Sequence, residues 1–447
     1  MQVKKQSLIP GLLTLALVIG TQPQVNAAGA DSAKKKPPVS QSYTITRLDT
    51  GMNVASSGQL ISNTGVVAGN LQDGSAGAFV WSAQTGFIVL TLGGEGSLVS
   101  GLSPNGIAVG AADNAAGEVL GFTWTPAVGL VQIGSLGAGL TIPQGVTNSG
   151  IVLGNSSIPG GPEHAFVWTK DTGMVDLDPT GLVDSAARFA TEDGRLIIGS
   201  IFADTGWRVF AWTEETGLAD IGLLGRDMFP EFLNQQGQLA GGFQREDGTR
   251  GTFFWSQETG LEDIGSFGGD ELSATAMNEA GTIVGFGTTP SGDLHGFVWS
   301  KANGLVEIGT LGGDFSWANH INSSGLVAGY SKTPEGYEHA IAWTEDGGLI
   351  DLGTLGGRNS RADFATEAGA IIGESSIKGH RRHAFVWTED TGMVEMPSLG
   401  RFEEVDIASS NGLFAGFTVE EKTAALHAVL WAPTTPAAKS PKEPATR

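Results

Sequence analysis

Five of the seven histidines in this 447-residue chain, His164, His295, His339, His383 and His427, each open a short apolar run such as Ala165-Phe166-Val167-Trp168. Imidazoles recurring in this way suggest a metal ring. Geometry argues otherwise, because packed sheets lie about 10 Å apart whereas zinc needs imidazole nitrogens at about 2.0–2.1 Å. A hydrogen bond at the start of a strand is the expected role, and no metal or cofactor is expected. His380-Arg381-Arg382-His383 differs in kind: it is a basic loop in an acidic chain and suits contact with an anion.

A second set of candidates forms a polar column. Gln59, Ser100, Gln144, Arg188, Glu231, Thr275, Asn319, Asp363 and Asp406 each lie six residues before a turn glycine, the glycines being Gly65, Gly106, Gly150, Gly194, Gly237, Gly281, Gly325, Gly369 and Gly412. A position that only fills space tends to repeat its residue. This one varies while staying polar, so it reads as the lining of a wet channel or as an asymmetric site. Asp363 and Asp406 have the chemistry of glycoside hydrolysis, which needs carboxyls about 5–9.5 Å apart. Two residues earlier stands the mouth of that channel, with Phe229, Trp317, Arg361 and Glu404 among its members. The same side gathers Asp314, Phe315 and Trp317 from one type of loop with Trp207, Tyr337 and Arg381 from another. Trp207 and Trp317 are the two of eleven tryptophans that fall outside a periodic set. Off-pattern aromatics in variable loops suit sugar rings and protein hot spots.

No GxSxG, HExxH, P-loop, GxGxxG or EF-hand spacing occurs. Cysteine is absent, which excludes disulfides, thiolate metal sites and a thiol nucleophile.

The elements that must position these residues are announced by the other nine tryptophans, Trp81, Trp124, Trp168, Trp212, Trp255, Trp299, Trp343, Trp387 and Trp431, which recur every 43 or 44 residues. Each period holds four short segments. Strand A ends in an Asn- or Ser-rich turn closed by the column glycine, as in Ala276 to Gly281. Strand B is a small and β-branched run such as TIVGFG, strand C carries Phe-Val-Trp, and strand D reads GLEDIG or GLVEIG and is closed by a double glycine such as Gly312-Gly313. Forty-four residues leave no room for helices. Strands C without strict alternation are expected to be buried on both faces, as happens when sheets stack.

The chain ends favour a closed ring over an open stack. Tyr43 to Asp49 sits where a strand D belongs, and the last repeat stops after strand C at Trp431. The fold expected is therefore all-β, a β-propeller of about nine four-stranded blades whose last blade is completed by the N-terminal strand. An eight-bladed ring with an extra repeat outside, and a solenoid, are the alternatives. His164-Ala165-Phe166-Val167-Trp168 and His383-Ala384-Phe385-Val386-Trp387, each followed by Thr-x-x-x-Gly, and the Leu-Gly-Gly that recurs at the end of strand D resemble the HAF repeats of bacterial extracellular proteins. The resemblance spans residues 43–432 and implies export, repeats and a propeller. It implies no reaction. The strand order is also similar to that of kelch propellers. Gly77, Leu120, Arg208 and Gly251 replace the signature histidine in several units.

Residues 1–27 read as a secretory signal, with Lys4 and Lys5, an apolar run from Leu12 to Ile19 and Val25-Asn26-Ala27 as a cleavage site. A linker at 28–42 and a tail at 433–447 flank the repeats. These three segments each carry +2 of a net −22, so the propeller itself holds −28. Such a surface repels nucleic acid and anionic membranes. The expectation is a secreted or periplasmic monomer that is not membrane-embedded and binds an extracellular protein or polysaccharide in an adhesion, matrix or scaffold role. The alternatives are a glycan-acting hydrolase or lyase with acids at the channel mouth, and a structural surface protein without a ligand.

Overall fold

The computed structural model describes residues 43–49, 56–71, 77–181, 183–203, 206–378, 382–400, 402–420, 422 and 424–434. The expected signal segment, the linker, most of the tail and Arg381 lie outside them. Among the described residues there is no helix, and the strands form nine four-stranded antiparallel sheets. Eight follow the chain as A-B-C-D. Numbered in chain order, blade 1 covers 56–90, blade 2 covers 93–132, blade 3 covers 141–176, blade 4 covers 185–220, blade 5 covers 226–263, blade 6 covers 272–307, blade 7 covers 316–351 and blade 8 covers 360–395. Blade 9 takes strands A to C from Glu403–Ala408, Phe414–Val419 and Leu426–Pro433, and its fourth strand is Tyr43–Arg47.

Strands A of successive blades pack side by side, and blade 1 packs on blade 9, which closes the ring with strands A innermost. On the face carrying the A–B turns, a girdle of hydrogen bonds, most of them from side chains, ties neighbouring blades. Asn278 Nδ2 donates to Asn322 O at 3.1 Å, Asn322 Nδ2 to Thr366 O at 2.8 Å, and Asn148 Nδ2 to Glu192 Oε1 at 2.9 Å. The last link spans the chain ends, where Asn411 Nδ2 donates to Asn63 O at 2.7 Å.

One local device recurs in every blade. Strand A bulges by one residue, and the extra residue is the polar column member: Gln144 falls in the register shift between Pro143 and Gly145, Thr275 between Ala274 and Ala276, and Asp363 between Ala362 and Phe364. A bulge bends its strand and re-aims a side chain. It also presses a strand A carbonyl onto strand B, where only glycine fits. A Cβ on Gly285 would stand 2.0 Å from Ser273 O and 2.8 Å from the Phe297 ring. Phe297 belongs to strand C and covers that glycine.

That position, rather than the tryptophan two residues on, is buried in every blade, by phenylalanine in seven, Ile341 in blade 7 and Val429 in blade 9. Phe79, Phe122, Phe166, Phe210, Phe253, Phe297 and Phe385 are fully buried. Trp124, Trp255, Trp299 and Trp431 are buried, while Trp81, Trp168, Trp212, Trp343 and Trp387 are half-buried. Trp299 packs between blades, 5.1 Å from Phe254 of blade 5. Strand D is shorter than its sequence suggests. It spans four residues in most blades, as in Gly304–Glu307, and, except for Gly93-Gly94, which opens strand A of blade 2, the double glycine belongs to the D–A loop. There Gly312 takes φ 102°, and Gly313 N–H donates to Lys332 O at 3.1 Å.

Candidate functional site

The D–A and B–C loops emerge on the face opposite the A–B turns. There the mouth residue of strand A pairs with a strand B residue thirteen positions later: Ser273 with Phe286, Trp317 with Tyr330, Arg361 with Glu374, Glu404 with Phe417. Phe286 and Tyr330 then reach the mouth residue of the next blade, and Glu374 reaches the residue beside it. Phe286 stacks on Trp317 with centroids 3.7 Å apart, Arg361 lies 4.7 Å over Tyr330, and Glu374 Oε1 accepts from Val405 N–H at 3.3 Å. The result is a ladder running around the ring from blade 6 to blade 9. Phe315 joins it 5.4 Å from Tyr330 and 6.2 Å from Trp317, with the Lys332 ammonium 5.6 Å over its ring and paired to Asp314 at 3.1 Å.

Where the ladder turns from aromatic to charged it opens into a cavity of about 300 Å³ between blades 7 and 8, lined by Glu338, Asn359, Ser360, Arg361, Glu374 and Arg382. Arg361 pairs with Glu338 at 2.6 Å and Arg382 with Glu374 at 3.0 Å, and Arg382 also lies 5.1 Å over Phe402. Behind this cavity acids crowd together. Burial, reinforced by Glu404 and then opposed by Arg382, pushes the Glu374 carboxyl up to about 7. Burial with Glu404 and Glu374 pushes Asp406 up to about 8. Asp363 is raised well above the usual carboxylate range, by burial first and Glu374 next. These carboxyls therefore bind protons more tightly than free carboxylates do.

A second aromatic group stands on the same face at blades 4 and 5. Trp207 lies 5.3 Å from Phe202 and 6.2 Å from Phe229. Phe202 is 47% and Phe229 37% exposed. Tyr337 joins neither aromatic group; its ring carries the Arg358 guanidinium at 5.3 Å. Along the inner rim Gln59 is exposed and the other column residues are half-buried, and several bridge blades: Ser100 Oγ donates to Pro143 O and Thr275 Oγ1 to Ala318 O, both at 2.6 Å, and Asn319 Nδ2 to Ala362 O at 2.8 Å. Glu231 is pushed up to about 7 by burial, against the pull of Arg250 and Arg188. Burial lowers Arg188, against the attraction of Glu231.

The strand C histidines each face a carboxylate on the neighbouring strand. His164 pairs with Asp176 at 2.9 Å, His295 with Glu307 at 2.7 Å, His339 with Asp351 at 3.0 Å and His383 with Glu395 at 2.6 Å. His427 pairs with Asp49 at 2.9 Å, linking the two chain ends. Where the signature departs, Arg208 meets Asp220 at 2.9 Å in the histidine's place, and Arg245 of strand B's end meets Asp263 at 2.8 Å above Gly251. Among the described residues no group of three or more histidines, aspartates or glutamates is placed to hold a metal ion. No described helix is long and apolar enough to cross a membrane.

Trp317, Phe315, Asp314 and Arg361 are thus brought together, and Trp207 and Phe229 form a second group. Phe286, Tyr330, Phe202, Glu338 and Glu374 belong to the site without having been singled out among the candidates, and Arg382 was read only as part of a basic loop suited to an anion. Phe286, Tyr330 and Glu374 carried a readable signal in the fixed offset of thirteen from the mouth column. No family model matches the sequence, and no curated protein is similar to it. Among solved structures the chain is similar to Porphyromonas gingivalis dipeptidyl peptidase 4, at 10% identity and a TM-score of 0.50 over 75% of this chain and 57% of that one. It is also similar to TolB from Acinetobacter baumannii, at 12% identity and 0.34 over 55% and 60% of the two chains. The β-propeller domain of the Trilobed protease from Pyrococcus furiosus gives 12% and 0.36 over 68% of this chain and 98% of that domain. The chain spans less than two thirds of the first two, and at these identities what it shares with dipeptidyl peptidase 4 is the propeller fold.

Proposed function

We propose that this propeller is an exported recognition protein that holds a polysaccharide along the D–A and B–C face. The observation that carries the reading is the gathering there of both non-periodic tryptophans, one in a stacked ladder with Phe286, Phe315 and Tyr330, the other beside the exposed Phe202 and Phe229. Aromatic faces offer large contact area at low entropic cost, and the neighbouring guanidinium, carboxylate and amide groups suit hydroxyl-rich chains. The propeller's charge of −28 keeps such a surface soluble and disfavours polyanions.

A polysaccharide array probed with the full chain, beside Trp207→Ala/Phe229→Ala and Trp317→Ala variants checked for folding, tests this. Retention by the wild type and a drop of about tenfold in the double variant are expected, since aromatic anchors are worth about 1–2 kcal/mol or more. Retention of no polysaccharide overturns the reading, and capture of an extracellular protein in its place would put recognition of protein forward.

One observation favours catalysis as a second reading: Glu374 lines the cavity with a carboxyl raised to about 7, the range of a general acid. Release of reducing ends by the wild type and its loss in Glu374→Gln would establish that reading.

A further inference from the structure

The cavity between blades 7 and 8 has a charge arrangement that selects among ligand classes. Its four ionisable side chains form two ready-made pairs, Arg361–Glu338 and Arg382–Glu374, so the wall is formally neutral. Both arginine side chains are 45% exposed, those of their partners only 27% and 8%. A cation entering would meet the arginines first. An anion would have to take an arginine from its carboxylate with Glu404 close to Glu374, and breaking a pair leaves a charge uncompensated. A neutral group that both donates and accepts hydrogen bonds meets neither obstacle.

From this we infer that the cavity is a subsite for one neutral, hydroxyl-bearing sugar unit, a claim that rests on the polysaccharide reading above and narrows it. Donors and acceptors alternate around the wall. Arg361 and Arg382 keep N–H groups beyond those used in their pairs, as follows from the five donors of a guanidinium. The carboxylates of Glu338 and Glu374 accept, and Asn359 receives the Glu338 N–H on Oδ1 at 3.1 Å, which leaves its NH₂ as a donor. These groups are fixed before any ligand arrives. Arg361 is held on the Tyr330 ring at 4.7 Å and by Glu338, and Arg382 on the Phe402 ring at 5.1 Å and by Glu374. Preorganised donors spare the ordering cost that weakens flexible polar sites. The cavity of about 300 Å³ lies at the small end of ligand sites and admits a single unit, with the aromatic ladder beside it to carry the next.

Calorimetry of the full chain with neutral oligosaccharides and with matching uronate-containing oligosaccharides, each at low and high salt, tests the inference. The variants are Asn359→Ala and the double Arg382→Met/Glu374→Gln, which removes a pair without leaving a lone charge; circular dichroism confirms folding. Neutral oligosaccharides should bind with an affinity that salt leaves unchanged, and both variants should lose about tenfold, as expected for hydrogen bonds to charged groups. Binding confined to uronates and abolished by salt overturns the inference. So does neutral binding that the cavity variants leave intact but Trp207→Ala/Phe229→Ala removes, an outcome that would spare the recognition face itself. Failure of the wild type to bind any oligosaccharide would sink both.

Discussion

Glu231, Glu374 and Asp406 hold protons that the unfolded chain would release: their carboxyls are pushed up to about 7, 7 and 8, against about 4.3 and 3.9 for free glutamate and aspartate. Between those limits the folded protein binds more protons than the unfolded one, so stability falls as pH rises. The contribution is complete below about pH 4 and is lost as pH passes through 7 to 8. Asp406→Asn removes one such group, so the Tm of this variant relative to wild type should climb between about pH 5 and pH 9. A difference that stays constant across that range would mean Asp406 is charged throughout. Packing holds the blades independently of charge. Phe297 is fully buried and Trp299 is 5% exposed, so alanine at either should cost about 3–5 kcal/mol by denaturant unfolding. An unchanged midpoint for Trp299→Ala would remove it from the contact between blades.

The blade is held in register by its bulge, and the bulge fixes which substitutions its strands tolerate. Strand B carries glycine opposite each bulge because the strand A carbonyl stands where a Cβ would go, 2.0 Å away at Gly285. Gly285→Ala must push that carbonyl or the Phe297 ring aside, an overpacking cost of about 3 kcal/mol. Gly292, in a loop of the same blade, has open space around it but φ 90°, so alanine there should cost only the strain of that conformation. Comparing the two variants by thermal melting separates crowding from backbone strain, and equal losses would contradict the bulge argument. Strand order, blade number and the N-terminal closing strand were all legible in the sequence, since Trp81 to Trp431 and the turn glycines set the period. The column from Gln59 to Asp406 was visible as polar but not as a bulge, because a bulge is a relation between two strands and leaves no mark on one. For the same reason the partners of Trp317 were missed. Phe286 and Tyr330 sit on strand B, and their meeting with Trp317 and Arg361 depends on how far neighbouring blades turn, which no single repeat encodes. Emphasis on tryptophan hid the phenylalanine two residues earlier, whose modest size lets it disappear completely into the blade.

Closure of the ring depends on the short segment 43–49. Tyr43 packs on Phe414 at 5.5 Å within a cluster that includes Trp431, Leu48 lies in the cluster with Phe79 and Leu430, and Asp49 meets His427. Tyr43–Arg47 pairs along Val429 to Pro433, so it also covers the edge of blade 9's strand C. A chain beginning at residue 50 would keep the girdle bond from Asn411 to Asn63 but leave that edge with unpaired backbone groups and Trp431 uncovered. An unpaired edge recruits another strand, and the nearest source is a second copy. The expected outcome is a lower Tm and a shift to larger species in size-exclusion chromatography that grows with protein concentration. A chain beginning at residue 43 should match the full-length protein in both measurements, because the strand that closes the ring starts there. Added in trans, a peptide of residues 43–49 should restore the smaller species by occupying the same edge. If the chain from residue 50 kept the full-length Tm and elution volume, the girdle alone would hold the ring, and the terminal strand would be a cover rather than a clasp.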